Sequence, residues 1–184
     1  MSINKPNLLP PIIAGPILRH CHATQINIWL VTSHSYPITC VIKKQADEQT
    51  LFAQQLSEHH CLSLPIGKNA FIHLITLNFE IPLPTNTLLE YDIQLTINNK
   101  AQSLVQLIDN LTYAGQTLPN FVIQPDIHSL LHGSCRKPHF ASKDGLVQVD
   151  KKIASTLEHQ TDRPSLLMMS GDQVYCDDVA GPML

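Results

Sequence analysis

The chain reads as an antiparallel β-sandwich of the immunoglobulin or fibronectin III sort over residues 1–124. The first strand–helix–strand of an α/β domain follows over 125–184. Three observations predict this. Apolar runs of strand length recur through the first hundred or so residues, separated by turn signals. The 13 prolines and a charged fraction of 15%, against roughly 25% in a typical domain, suit punctuated strands better than a helical bundle. After Pro125 the pattern changes to a strand, a helical spacing and a second strand, which is the unit of a parallel sheet.

The elements follow in order. Residues 12–18 are apolar and broken by Gly15-Pro16. In 25–31, Ile26, Ile28 and Leu30 alternate onto one face. Residues 36–43 are rich in β-branched side chains and end in charge. A weaker strand is predicted at 62–66, and stronger ones at 71–77 and 89–97, the latter alternating throughout. Residues 102–108 fit either a strand or a short helix, and 121–123 a short strand closed by Pro125. The single Trp29 is expected in the sandwich core. Beyond the boundary near residue 124, residues 127–136 read as a strand ending in a turn at Gly133. Leu146, Val147, Asp150, Ile153, Ala154 and Leu157 then fall at helical spacing, with Lys151, Lys152 and Glu158 outward. Pro164 precedes a strand at 165–169.

Charge and composition exclude several functions. A net charge of −3 with no basic stripe argues against nucleic acid or an anionic membrane as partner. No apolar run approaches the roughly 18 residues of a membrane span. The N-terminus, Met1 to Pro6, lacks the features of a secretory leader. Cys21, Cys40, Cys61, Cys135 and Cys176 are odd in number, scattered and without a C-x-x-C pair. A reducing, cytoplasmic setting is expected.

The chemistry gathers at two strand ends. Ser165 to Ser170 runs into Gly171 and then four oxygen donors, Asp172, Tyr175, Asp177 and Asp178. Ligands of open α/β sheets sit beyond the carboxyl ends of strands, and collected carboxylates repel unless a cation lies between them. If the strands ending near Cys135 and Asp172 are neighbours, a thiol, a carboxylate and a phenol converge. A phenol and a thiol ligate as anions, so this donor set suits high-valent iron better than magnesium. Arg136 could fork onto a phosphate oxygen or form a structural ion pair. Each residue also has a plainer role: Cys135 a small buried apolar group, Asp172 a helix cap, Tyr175 core. Asp177 and Asp178 read as solvated or capping, Cys176 as structural, and the histidines as surface or core residues.

Gly133-Ser134-Cys135-Arg136, a helix, and then Ser170-Gly171-Asp172-Gln173-Val174-Tyr175 resembles the PhoD-like alkaline phosphatases, a branch of the metallophosphoesterases. The resemblance implies a sandwich ahead of a catalytic α/β domain. It implies Cys135 and Tyr175 as iron ligands and Asp172 as a bridge between metals. The implied activity is metal-dependent hydrolysis of a phosphoric monoester or diester on a small molecule, with iron and calcium as the ions. The family carries an acidic residue directly after the Tyr, where this chain has Cys176. Its downstream Asn, His and Asp ligands would lie beyond Leu184, so the chain is expected to be an incomplete N-terminal part, inactive alone. Two other readings stand beside it. One is a sandwich that binds a carbohydrate or protein without catalysis. The other is a hydrolase with Cys135 as nucleophile and His132 or His139 as base.

Overall fold

A computed structural model describes residues 9–137, 140–141, 143–173, 175 and 177. The expectations for His139, Cys176, Asp178 and the residues after it lie outside the described residues. The chain divides into two compact units, Met1–Ile123 and Gln124–Leu184.

The first unit is built from two antiparallel sheets. One has the order β1 (Ile12–His22), β2 (Gln25–Thr32), β6 (Phe71–Asn78), β5 (Cys61–Pro65). The other runs β4 (Thr50–Gln55), β3 (Ile38–Lys44), β7 (Leu88–Ile97), β8 (Lys100–Gln102), and β9 (Asn120–Val122) also pairs with β7. Period-2 alternation sends one side-chain set of each central strand inward. Ile26, Ile28 and Leu30 of β2 and Ile75 and Leu77 of β6 meet Ile38, Cys40 and Ile42 of β3 and Leu89, Tyr91, Ile93 and Leu95 of β7 in one core. Two sheets share that core, the arrangement of a β-sandwich.

The outward face of β7 holds the buried carboxylates Glu90 and Asp92. Each is satisfied. Lys43 lies 3.6 Å from Glu90, while Asp92 accepts from the Ser103 hydroxyl at 2.8 Å and the Leu104 amide at 3.0 Å. Asp92 thereby anchors the short helix α1 (Leu104–Leu107), which resolves the ambiguous 102–108 segment in favour of helix.

Two expectations are corrected here. Trp29 is not in the core. Ile28 and Leu30 point inward, so the residue between them must point out, and Trp29 lies half-buried on the outer face. Its cross-strand neighbours are Ile17 and Leu74, and Leu74 in turn pairs with Leu62. Strand β4 was not anticipated. Its mostly exposed pattern gives little alternation to read.

In the second unit β10 (Leu130–Gly133) and β11 (Leu166–Met169) pair in parallel, Leu130 opposite Leu166 and Gly133 opposite Met169. Helix α2 (Gly145–Ala154) connects them, followed by a 3-10 turn at Gln160–Asp162. The predicted strand over 127–136 is therefore only four residues long. Asp144 caps α2, accepting from the Leu146 amide, and Lys151 and Lys152 in its last turn complement the helix dipole. The Gln124 side chain binds the carbonyls of Gln160 and Arg163 and the Ser165 hydroxyl, fixing the entry to β11. Leu166 and Leu167, on opposite faces of β11, are 38% and 42% exposed, although parallel sheets are normally covered on both faces. Among the described residues no helix is long and apolar enough to cross a membrane.

Candidate functional site

Parallel pairing makes both strands of the second unit end at the same edge. The Ser170 amide donates to the Gly133 carbonyl at 3.0 Å, and the His132 Nε2 and Ser170 Oγ atoms lie 2.5 Å apart. These bonds hold the two exits, Ser134-Cys135 and Gly171-Asp172, against each other. They approach so closely that only glycine fits at 171. A Cβ there would lie 1.8 Å from the Ser134 oxygen and 2.9 Å from the Cys135 nitrogen.

Cys135 sits at φ +53°, left-handed backbone that disfavours a residue with a Cβ by roughly 1–3 kcal/mol and that clusters at functional sites. This conformation leaves the thiol exposed. Three donors surround the sulfur: the Ser134 hydroxyl at 3.2 Å, the Tyr175 hydroxyl and the backbone amide of Asp172. They hold the Cys135 thiol below the usual thiol range, the Ser134 contact contributing most. Tyr175 is shifted the opposite way. Burial raises its phenol first, and then its hydrogen bond to the sulfur and the nearby charges of Asp172 and Asp177. The proton therefore stays on the phenol while negative charge is favoured on sulfur. Sequence reasoning singled out Cys135, Asp172 and Tyr175, and the structure brings all three together.

The set can be tested against an iron ion by its donors. The phenol oxygen and the thiol sulfur touch through one proton, and a strong Lewis acid would take that proton's place. The exposed Asp172 carboxylate carries its charge beside both. These three residues fit the chemistry of a ferric ion. Among the described residues no three His, Cys, Asp or Glu side chains are placed to hold a metal. Cys135 and Asp172 are two of that type, and the third donor here is a phenol.

No family model and no curated protein matches the chain.

Arg136, expected at a phosphate, is engaged elsewhere. Its Nε and a terminal nitrogen fork onto Asp144 at 3.0 and 2.7 Å, and Asp144 lies below the ordinary carboxylate range chiefly because of that fork. The bidentate pair ties the turn after Cys135 to the start of α2. Beside it a cleft of about 270 Å³ is lined by Cys135, Arg136, Lys137, Lys143, the first residues of α2 and Met169. The Lys137 ammonium lies 5.6 Å from the centre of the Phe140 ring and 5.9 Å from that of Tyr175. Sequence reasoning missed Asp144 and the two lysines. An Asp directly before a glycine and an apolar helical run is a cap signal that could have found Asp144.

His132, one candidate base for a cysteine nucleophile, spends its Nε2 on Ser170. The hydrogen bonds to the Cys135 sulfur come from a serine, a tyrosine and an amide, none of which is a base at neutral pH.

Proposed function

We propose that the chain is part of a metal-dependent phosphatase of the PhoD-like class, an enzyme that hydrolyses a phosphoric monoester or diester of a small molecule. Cys135, Tyr175 and Asp172 would hold the ions, iron and calcium. The observation that carries this reading is the meeting of the Cys135 sulfur, the Tyr175 hydroxyl and the Asp172 amide at the ends of two parallel strands. Bound ions would supply Lewis acidity and neutralise charge on the transferring phosphoryl group. The chain's own part is to present the donors and to keep cationic side chains beside them. Lys137 and Lys143 line the adjoining cleft, while Arg136 can reach a phosphate only through the N–H groups that Asp144 leaves over, or by exchanging partners. The apolar faces that β11 leaves exposed suit a strand pair belonging to a larger parallel sheet.

Two further points agree with this reading. The order β1-β2-β6-β5 against β4-β3-β7-β8 follows the ABED and C′CFG arrangement of immunoglobulin-like sandwiches. The free thiols of Cys21, Cys40, Cys61 and Cys135 suit a reducing, cytoplasmic compartment.

The test is the response of the iron-loaded protein to phosphate. Orthophosphate is expected to shift the visible thiolate- and phenolate-to-iron band in a saturable way, and sulfate to do so far more weakly. An iron-loaded protein indifferent to phosphate would remove the phosphatase reading while leaving the metal site standing.

One observation favours a second reading, a sandwich that binds a partner without catalysis. Ile17, Trp29, Leu74 and Leu62 form an apolar cross-strand row on the outer face of the β1-β2-β6-β5 sheet, with Ile17 47% and Leu62 69% exposed. Apolar rows of this kind mark interaction surfaces.

A further inference from the structure

A second group of donors lies in the sandwich, at the edge strand β5. His73 of β6 is only 1% exposed, yet both its ring nitrogens are used. The Thr32 hydroxyl donates to the His34 carbonyl at 2.6 Å, so its single proton is spent there. Thr32 must then accept from His73 Nε2, 2.8 Å away. That assigns the ring proton to Nε2 and leaves Nδ1 with a lone pair. The lone pair faces outward, toward the Ser63 hydroxyl at 2.8 Å and the Cys61 sulfur at 3.8 Å. Sulfur and hydroxyl are themselves 3.6 Å apart. Cys61 and Ser63 also line a small cleft of about 140 Å³ with Glu58 and Tyr36, and the buried His73 ring meets them from beneath.

We propose that Cys61 and His73 form a site for a thiophilic divalent cation of the zinc type, with Ser63 and cleft water filling the two remaining tetrahedral positions. Zinc bonds of about 2.3 Å to sulfur and about 2.0–2.1 Å to nitrogen at a tetrahedral angle set sulfur and nitrogen about 3.6 Å apart. The observed 3.8 Å needs almost no movement. A ligating histidine characteristically donates its other ring N–H to a fixed acceptor, which sets the tautomer and the ring angle. The Thr32–His34 chain supplies that fixture here. On binding, the cation replaces the thiol proton, which is released to water. Nothing in this site depends on the proposed iron centre, which is in the other unit.

The experiment is a cobalt(II) titration of the full chain carrying Cys135→Ser, so that the exposed thiol of the other unit cannot contribute. A thiolate-to-cobalt charge-transfer band saturating at one equivalent is expected, together with a thermal unfolding midpoint that rises with added zinc. Adding Cys61→Ser to that background should abolish both. Thr32→Val, which leaves Nδ1 in place but loosens the ring, should weaken zinc by roughly tenfold or more. Absence of the band in the Cys135→Ser protein would overturn the proposal. Survival of the band after Cys61→Ser, or zinc affinity untouched by Thr32→Val, would overturn it as well.

Discussion

Cys40 and Cys135 are the same side chain in opposite circumstances. Cys40 lies in the sandwich core, where burial first and then the charge of Asp92 push its thiol up to about 12. Cys135 stands exposed at a strand end, and three donors pull it down. The difference runs through both units. The sandwich stabilises itself by hiding side chains and pairs even its buried carboxylates. The C-terminal pair of strands holds Cys135 in left-handed backbone, admits no side chain at 171 and leaves leucines in water. One region is arranged for packing and the other for presenting donors.

That contrast can be pressed in several ways. The largest effect is in packing. Ile93→Ala removes a fully buried side chain of β7 and should cost about 2–5 kcal/mol in denaturant unfolding. Leu167→Ala, at an exposed site in β11, should stay within about 1 kcal/mol. Equal losses would erase the distinction. Next comes thiol chemistry. At neutral pH an alkylating reagent should modify Cys135 about a hundredfold or more faster than Cys40, as followed by peptide mass spectrometry. Tyr175→Phe, which removes one donor to the sulfur, should move the midpoint of the Cys135 rate–pH profile upward. An unchanged profile would mean that the phenol does not touch the thiol in solution.

Gly171→Ala should disrupt the meeting of the strand ends, because the added methyl lands on Ser134. Its effect on the sandwich, followed by amide exchange of β2 and β7, should be nil. A smaller effect comes from pH. Burial lowers His73 below its ordinary value of 6.5, so the unfolded chain takes up a proton before the folded one does. With metal chelated, the stability of the sandwich is expected to be level above pH about 6.5 and to decline as pH falls below it. A sandwich equally stable at pH 7 and pH 5 would contradict the buried, neutral ring.

Much of this was legible in the sequence, and for physical reasons. Strands such as β2 and β7 bury one side-chain set, and that leaves a period-2 record. Strand β4, at an edge, buries little and leaves no such record. Trp29 was misplaced by its size, although the alternation of Ile26, Ile28 and Leu30 already assigned it to the other face. At the site, Asp172 and Tyr175 were visible because a glycine and oxygen donors directly follow an apolar strand, and Cys135 only through the motif it forms together with them. The Arg136–Asp144 fork was not, because the seven residues between them carry no periodic signal. Neither was the Cys61–His73 contact, which depends on the register between β5 and β6.

Iron(III) titration of the intact chain, monitored in the visible range, probes the meeting of Cys135, Asp172 and Tyr175 most directly. One iron per chain with an intense phenolate and thiolate charge-transfer band is predicted, with Tyr175→Phe removing its phenolate component, Cys135→Ser its thiolate component, and Asp172→Asn weakening the binding. A chain that takes up no iron, or whose band is the same in all three variants, would contradict the joint assignment of Cys135, Asp172 and Tyr175.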